Sequence, residues 1–412
     1  MKNLNRVVVT GLGAITPIGN NVTDFWAGLV SGKCGIDYIT KCDTTDLKVK
    51  VAAEVKNFEP SEYIEKNLIR KTDMFTQYAL AATAQAVSDA NLKDYNPEDL
   101  AVYYGSGIGG LSTFMKNYEK FLEGGSKKVS PFMIPMMISN IAGGNIAIKY
   151  NAQGPCVTVV SACATGTNSI GEAYRAIKDG YIKAAIAGGA EATIQPVNIS
   201  GFANCMALST RNIPDEASIP FDKRRDGFVM GEGAGTVILE EYEYAKARGA
   251  KIYAEIVGYG NTCDAYHMTA PEPNGTGAAN SIKMAIKDLN ITDDTKIYIN
   301  AHGTSTPLND KTETKAIKKV FGERANSIMI SSTKSMTGHM LGAAGAVEAI
   351  VCIKALNESI VPPTIGYKEK DPECDLDYVP NVARKSKVDL ALSTSLGFGG
   401  HNGCLAFVKE VR

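Results

Sequence analysis

The chain has 412 residues with a formal net charge of −1, of which 44% are hydrophobic and 21% charged. This composition is ordinary for a globular protein with one large core or two domains, and it excludes disordered and fibrous classes. With so little net charge there is no global basic field, so we expect neither nucleic acid nor a membrane as a partner. The 9 scattered cysteines contain no C-x-x-C pair, which argues against a disulfide framework and a structural zinc site.

The N-terminus runs directly into a predicted strand at residues 7–11, with no apolar segment before a cleavage site and no long apolar span elsewhere. We therefore expect a protein of the reducing cytoplasm that is neither secreted nor membrane-spanning. No ligand cluster or phosphate-binding motif stands in a suitable context, so we expect no metal, nucleotide or flavin cofactor.

The first candidate for chemistry is Cys163, in V-S-A-C-A-T-G, between a predicted strand at 157–160 and an alanine-rich predicted helix. At the first turn of a helix, a thiol meets unpaired N–H groups and the positive end of the helix dipole, which favour the thiolate. A free cysteine is more often a small buried apolar residue. Three further motifs favour the nucleophile.

These motifs follow predicted strands in the second part of the chain. A-H-G-T-S-T (301–306) carries His302, S-S-T-K-S-M-T-G-H-M-L-G-A-A-G (331–345) carries His339, and S-L-G-F-G-G-H-N-G (395–403) surrounds Phe398 with glycines. Parallel strands deliver their carboxyl ends to a common site, and glycines let backbone N–H groups approach a ligand. We expect both histidines to face the site of Cys163.

The two parts of the chain repeat an order of strand, helix, strand, helix, strand, which predicts two α/β halves with mostly parallel sheets. The helices after Cys163 and His339 share residues at equal distances from these two positions, namely Glu172, Ala173, Ile177 and Lys178 with Glu348, Ala349, Ile353 and Lys354, as well as Gly166 with Gly342. The two helices are then expected to meet at a pseudo-twofold axis. The charged run at 223–226 is interpreted as a solvated loop.

Nearly the whole chain resembles the elongating β-ketoacyl-acyl-carrier-protein synthases of the thiolase-like superfamily, most closely the type called synthase 2. The resemblance rests on the motifs above together with V-V-V-T-G-L-G-A-I-T-P-I-G-N, G-S-G-I-G-G, A-G-G-A-E-A, R-D-G-F-V-M-G-E-G-A-G and D-A-Y-H-M-T-A-P. It implies a duplicated α/β fold of two pseudo-symmetric halves in a layered α-β-α-β-α arrangement. Residues 1–250 would hold Cys163, and residues 251–412 would hold both histidines.

The activity that the resemblance implies is a decarboxylative Claisen condensation of acyl- with malonyl-acyl-carrier protein, giving the 3-oxoacyl product and CO2 in dissociated fatty acid elongation. Cys163 would carry the acyl group, with the N–H groups of Cys163 and Phe398 as oxyanion donors. His302 and His339 would stabilise the enolate, and the charge of Lys334 would help to keep both imidazoles neutral. The substrates are carried on phosphopantetheine, so the resemblance implies no further cofactor.

Other positions take roles from the same resemblance. Phe398 would act as a gate between the half-reactions, and Glu348 would be the buried acidic partner of the lysine and histidine cluster. The remaining assignments are Thr304, Thr306 and Thr269 for the pantetheine arm, Ile108 and Phe202 for the acyl pocket, and Lys66, Arg70, Lys71, Lys127 and Lys128 as a basic patch for the acidic carrier protein. A homodimer is expected.

The family commonly reads N-S-F-G-F-G-G where this chain has Thr394, Ser395 and Leu396 before Gly397, so an aromatic ring is missing near the gate. A degradative thiolase would need a second cysteine in a different context from Cys404, and an initiating synthase would place asparagine at His339. A noncatalytic partner subunit would lack the nucleophile. A catalytic polyketide ketosynthase shares the chemistry and stays open, with fatty acid elongation favoured by the absence of fused domains.

Overall fold

The computed structural model describes residues 4–409. Its strands are β1 (Val7–Ile15), β2 (Asp37–Tyr38), β3 (Val51–Ala52), β4 (Leu100–Gly105), β5 (Cys156–Val157), β6 (Ala184–Glu191), β7 (Gly233–Glu241), β8 (Ala254–Cys263), β9 (Ile297–Asn300), β10 (Met329–Ser331), β11 (Ile360–Val361), β12 (Arg384–Lys385), β13 (Leu390–Gly397) and β14 (His401–Val408). Within these residues, no helix is long and apolar enough to cross a membrane.

The α-helices are α1 (Val22–Ser31), α2 (Lys66–Ile69), α3 (Met74–Asp89), α4 (Leu111–Gly124), α5 (Met133–Met137), α6 (Ile141–Tyr150), α7 (Thr165–Lys178), α8 (Pro196–Asn204), α9 (Pro214–Ala217), α10 (Tyr242–Ala247), α11 (Thr276–Ile286), α12 (Pro307–Phe321), α13 (Lys334–Thr337) and α14 (Ala344–Glu358). Short 3₁₀ turns, Ala162–Ala164 and Leu341–Ala343, lead directly into α7 and α14.

Ten strands form one continuous sheet in the order β10-β9-β13-β14-β8-β1-β7-β6-β4-β5. Reading outwards from the centre, β1-β7-β6-β4-β5 and β8-β14-β13-β9-β10 repeat the same sequence of antiparallel and parallel pairings. This repeat is the structural form of the predicted duplication. The division at residues 250 and 251 stays a prediction.

The expectation of mostly parallel sheets is wrong. Of the nine pairings in the large sheet, five are antiparallel and four parallel. The difference arises from β7 and β14, which each run antiparallel to both of their neighbours. The parallel strands β5, β9, β10 and β13 are followed at their carboxyl ends by the segments that carry the residues of the site, as such strands commonly are.

Helices α7 and α14 lie at the centre of the molecule and contact each other as well as strands of both halves. On the outer faces, α3 packs on β1 and β7, and α11 packs on β8 and β14. The layers therefore alternate as α-β-α-β-α. Small residues allow the central helices to approach closely, because a Cβ added at Gly166 would lie 2.6 Å from the Ala346 nitrogen, and one at Gly345 would lie 2.1 Å from Thr167 Oγ1.

The predicted pairing of Cys163 with His339 between the halves is wrong by three residues. Both 3₁₀ turns begin at a non-glycine residue with positive φ, Ala162 (49°) and Leu341 (45°), and both central helices begin three residues later. The structural counterpart of Cys163 is therefore Gly342. A shift of three residues is nearly one helical turn, so residues of the same type recur on the same face of a helix. The residues shared by the two helices therefore suggested an alignment that is displaced by almost one turn.

Candidate active site

A cavity of about 350 Å³ opens at the carboxyl ends of the parallel strands. It brings together half of the site residues singled out in the sequence, namely Cys163, Phe202, Thr269, His302, Thr304, Thr306, His339 and Phe398. The lining comes from both halves, which explains why residues more than two hundred positions apart reach one site.

Cys163 lies in the 3₁₀ turn before α7, and backbone N–H groups of Phe398 and of Cys163 itself are directed at its sulfur. Burial raises the pKa of the Cys163 thiol to about 12, although the Lys334 charge and these N–H groups lower it. The N–H groups favour the thiolate as expected, but the loss of solvation outweighs them, so the thiol is protonated in the free protein.

The two histidines pack edge to face, with ring centroids 5.3 Å apart and planes at 85°. Burial, and then the charge of Lys334, lowers the pKa of both imidazoles well below their ordinary value. The Leu341 N–H donates to His339 Nδ1 at 3.3 Å. The proton of neutral His339 is thereby held on Nε2, which has no hydrogen-bond partner among the described residues.

Glu313 on α12 fixes the loop that carries His302. It accepts hydrogen bonds from the N–H groups of His302 and Gly303, both at 2.8 Å, and from Thr394 Oγ1 at 2.7 Å. Thr394 is one of the departures from the family pattern, and here its hydroxyl supports the histidine loop. Glu313 was not predicted from the sequence, because it stands eleven residues after His302 within the amphipathic helix α12 and in no recognisable motif.

Lys334 and Glu348 form an ion pair whose side chains are 1% and 3% exposed. Both side chains are therefore buried, although the sequence alone would also allow each of them to lie at the surface. Burial raises the pKa of Glu348 to about 7 against the opposing effect of Lys334. The buried Lys334 ammonium lies close enough to both histidines for its charge to lower their pKa values.

An apolar surface lies on one side of the nucleophile. The Phe202 ring lies 5.4 Å from Phe228 and 6.3 Å from Phe398 between centroids. Ile108 does not line the cavity itself, but like Cys163 and Phe202 it is half-buried and packs against one buried apolar cluster. These apolar side chains would suit a hydrocarbon group bound next to the Cys163 sulfur.

The opposite side of the cavity is polar. Thr304 and Thr306 face each other with hydroxyl oxygens 2.9 Å apart, and Thr269 lies near the mouth with its hydroxyl 3.4 Å from His267 Nδ1. Leu396, the second departure from the family pattern, lines the same cavity. The cavity therefore combines an apolar wall with hydroxyl groups that suit amides.

The predicted basic patch lies outside the cavity. Its five members are exposed and lie on α2, just after it, and in the 3₁₀ turn that follows α4: Lys66, Arg70, Lys71, Lys127 and Lys128. The two segments lie on the same side of the molecule, since the Lys71 ammonium lies 5.4 Å from the ring of Phe132, four residues after Lys128.

The charged run at 223–226 is solvated only in part, with Lys223 exposed and Arg225 buried. Arg225 is buried, forms an ion pair with Asp371 at 2.6 Å and donates to the carbonyls of Thr306 and Pro307. It therefore holds the loop of the two threonines. Asp226 lines the cavity and binds Ser209 and Thr210. The motif R-D-G-F-V-M could be recognised in the sequence, but the role of Arg225 could not, because the residues that it contacts are distant along the chain.

Comparisons with known proteins agree with this geometry. The family models "Beta-ketoacyl synthase, N-terminal domain" and "Beta-ketoacyl synthase, C-terminal domain" match residues 4–245 and 253–368. Together they cover most of the chain, which belongs to the β-ketoacyl synthase family. The chain is thus a condensing acyltransferase with a thiolase-like α/β fold, as predicted.

Among its relatives, a 3-oxoacyl-[acyl-carrier-protein] synthase 2 from Synechocystis sp. is 53% identical, covering 99% of this chain and 100% of that protein. A protein of the same name from Coxiella burnetii is 49% identical, covering 98% of each. Among solved structures, a β-ketoacyl synthase from Burkholderia phymatum has a TM-score of 0.90 at 36% identity, covering 99% of this chain and 100% of that one.

A second solved structure is a ketosynthase in complex with its type II polyketide acyl-carrier protein and bound to the hexaketide. It has a TM-score of 0.92 at 35% identity, covering 99% of this chain and 100% of that one.

Proposed function

We propose that this chain condenses acyl-acyl-carrier protein with malonyl-acyl-carrier protein, releasing CO2 and forming 3-oxoacyl-acyl-carrier protein in dissociated fatty acid elongation. The observation that carries this proposal is the single cavity that joins Cys163, two neutral imidazoles and the backbone N–H of Phe398. The 49% and 53% identical relatives named 3-oxoacyl-[acyl-carrier-protein] synthase 2 favour this substrate class.

In the first half-reaction the Cys163 sulfur attacks the thioester carbonyl of the acyl substrate. The N–H groups of Cys163 and Phe398 stabilise the resulting oxyanion. The carbon–sulfur bond to the pantetheine then breaks, and the proton lost by Cys163 ends on the departing pantetheine thiol. Thr304, Thr306 and Thr269 provide hydroxyl groups for the amides of the pantetheine arm, while Phe202 and Ile108 accommodate the acyl chain.

In the second half-reaction the malonyl group loses CO2, and the electron pair of the broken carbon–carbon bond forms an enolate. His339, with its proton on Nε2, and His302 donate hydrogen bonds to the enolate oxygen. Neutral imidazoles suit this task because they carry a proton without adding charge in a buried site. The enolate carbon attacks the acyl thioester and breaks its carbon–sulfur bond, and the Cys163 thiolate that leaves takes up a proton from solvent to restore the thiol of the free enzyme.

The proposal is tested by separating the half-reactions. Wild type should acquire the acyl mass at Cys163 and form product, whereas Cys163→Ala should acquire none. His302→Ala should still become acylated but release CO2 from malonyl-carrier protein about 10² to 10⁴ times more slowly. A wild type that is never acylated by any acyl-carrier protein would refute the condensing activity.

The acyl carrier protein is the proposed partner, and its phosphopantetheine is the only prosthetic group that the reaction needs. Lys66, Arg70, Lys71, Lys127 and Lys128 are proposed to meet its acidic surface, since they are exposed and lie outside the cavity. We place the protein in the cytoplasm, because all nine cysteines are free thiols.

A homodimer is proposed from the N-terminal edge of the sheet. β5 is the outermost strand there, and Val157 on β5 and Val160 just after it are 42% and 53% exposed. Neighbouring α4 and α5 add exposed aromatic and aliphatic residues. An unpaired apolar edge is a template for a second copy. Val160→Lys should convert a dimer to a monomer in light scattering, and a monomeric wild type would refute this arrangement.

Polyketide synthesis is the second candidate, favoured by the 35% identical ketosynthase that was solved with its polyketide carrier protein. The same assay decides between them. One condensation per cycle, with further elongation only after the product is reduced, indicates fatty acid elongation. Unreduced products of several condensations would indicate a polyketide enzyme.

A further inference from the structure

Glu191, at the end of β6, is fully buried and has no part in the steps above. Its carboxylate accepts hydrogen bonds from Ser106 Oγ and the Gly107 N–H, both at 2.9 Å, from the Gly342 N–H at 3.0 Å and from the Ile108 N–H at 3.3 Å. These donors carry no charge. Three of them are backbone N–H groups, which is the arrangement of an anion-binding site.

The duplicated fold identifies what this place corresponds to. Strands β6 and β13 occupy equivalent positions and have equal length, so Glu191 is the counterpart of Gly397. The 3₁₀ turns make Gly342 the counterpart of Cys163. The bond from the Gly342 N–H to Glu191 thus lies where the oxyanion donor of Cys163 lies in the other half.

The geometry around Gly397 agrees with this equivalence. A Cβ added at Gly397 would lie 3.3 Å from the Cys163 nitrogen, so a side chain there would cover the oxyanion donor. At Gly342, an added Cβ would lie 2.9 Å from Glu191 Oε2. One half therefore leaves the donor open to substrate, and the other half covers it with its own carboxylate.

We propose that Glu191 is a positioning residue whose carboxyl group occupies the counterpart of the oxyanion site. In doing so it holds in place both the loop after β4, which contains Ile108, and the 3₁₀ turn Leu341–Ala343, which fixes His339. It binds the N–H groups of Gly107 and Ile108 on one side and that of Gly342 on the other. Gly342 directly follows Leu341, whose N–H fixes the His339 tautomer. The inference rests on the proposed function for its effect on rate.

The test is chemical rescue with sodium formate. Glu191→Ala leaves the N–H donors facing an empty space, so CO2 release from malonyl-carrier protein should fall about 10²-fold, since small misplacements of catalytic groups cost rates of this order. Formate should restore the rate saturably, by about tenfold, because it supplies a carboxylate to the same donors. It should also raise the unfolding midpoint of this variant and leave that of wild type unchanged.

Glu240→Ala is the matched control, because Glu240 is equally buried, pairs with Arg248 and does not line the cavity. Formate should not change its rate of CO2 release, because a carboxylate bound beside Arg248 lies away from the cavity. A Glu191→Ala rate within about threefold of wild type, or a slow variant whose rate and midpoint ignore formate, would overturn the proposal.

If Glu191→Ala does not fold, Glu191→Gln decides, since an amide keeps the shape and loses one acceptor oxygen. A wild-type rate in that variant overturns the proposal, and slow CO2 release with normal acylation of Cys163 supports it. A wild type without condensing activity would refute the proposed function, and the effect of formate on the unfolding midpoint would still decide whether Glu191 fills an anion site.

Discussion

The ring of Phe398 leans against Phe202, with centroids 6.3 Å apart and planes inclined at 53°. The residue whose N–H faces the nucleophile thus also touches the acyl wall through its side chain. Phe398→Ala keeps the N–H donor and removes the ring, so acylation of Cys163 should stay within about threefold of wild type. Without the ring, release of CO2 from malonyl-carrier protein should no longer depend on prior acylation. Measuring CO2 release with and without acyl substrate checks this, and unchanged dependence would contradict the gate.

Chain-length selection should respond to Ile108, which shares an apolar cluster with Cys163 and Phe202. Ile108→Phe adds volume beside the sulfur, so long acyl chains should lose acylation by at least about tenfold while hexanoyl groups are retained. Acyl-enzyme mass across a series of chain lengths measures this. Ile291→Phe, at a half-exposed isoleucine away from the cavity, should leave the series unchanged.

The acid limit of decarboxylation should depend on Lys334. Its charge is the second cause, after burial, of the low pKa of His302 and His339. Replacing Lys334 by Met and Glu348 by Gln together removes that charge without stranding a carboxylate, so both histidine pKa values should rise. Because neutral imidazoles are required, the acid limb of the pH–rate profile should move to higher pH. Lys354→Met, on the same helix as Glu348, should not move it.

Breaking the buried ion pair of Lys334 and Glu348 should lower the free energy of unfolding strongly, whereas replacing both partners by apolar residues should lower it little. Glu348→Gln alone leaves a buried ammonium without its partner and should lower the free energy of unfolding by about 3–5 kcal/mol. The double variant Lys334→Met, Glu348→Leu should lie close to wild type, because burying two apolar groups avoids the desolvation penalty. Urea unfolding of both variants distinguishes these outcomes, and equal losses would contradict this explanation.

Glu191 should give wild type a specific pH dependence of stability. Burial raises the pKa of its carboxyl to about 7 in the folded protein, whereas the unfolded value is about 4.3. Between these values the folded state binds more protons, so stability falls as pH rises. The difference in unfolding free energy between wild type and Glu191→Gln should decrease by up to about 1.4 kcal/mol per pH unit in this window. A difference that is flat or rises with pH would contradict it.

The sequence predicted elements well where the pattern is local. The predicted strand at 7–11 corresponds to the first part of Val7–Ile15. The antiparallel course of Gly233–Glu241 and His401–Val408 went unpredicted, since strand direction is decided by partners far along the chain. Likewise the predicted strand at 157–160 is limited to Cys156–Val157, which pairs only along one side.

The same reasoning applies to the site. Motifs at strand ends could be expected to meet, because parallel strands share an edge. Glu191 and Arg225 stood within quoted motifs, but only their surroundings in space show that one caps an N–H cluster and the other supports a loop. The direction of the Cys163 pKa shift was missed for a related reason: a sequence shows the helix that follows, but not the depth of burial.

The placement of α7 and α14 has a consequence for the evolution and engineering of the chain. Each of these helices is covered partly by strands of the other half. A chain that stops near residue 250 would expose the apolar face of α7 and would need a second polypeptide to shield it. An ancestor consisting of one half would therefore have been obliged to pair with its twin, giving two identical sites. Joined in one chain, the two halves can differ in sequence, so that one carries Cys163 where the other carries Gly342.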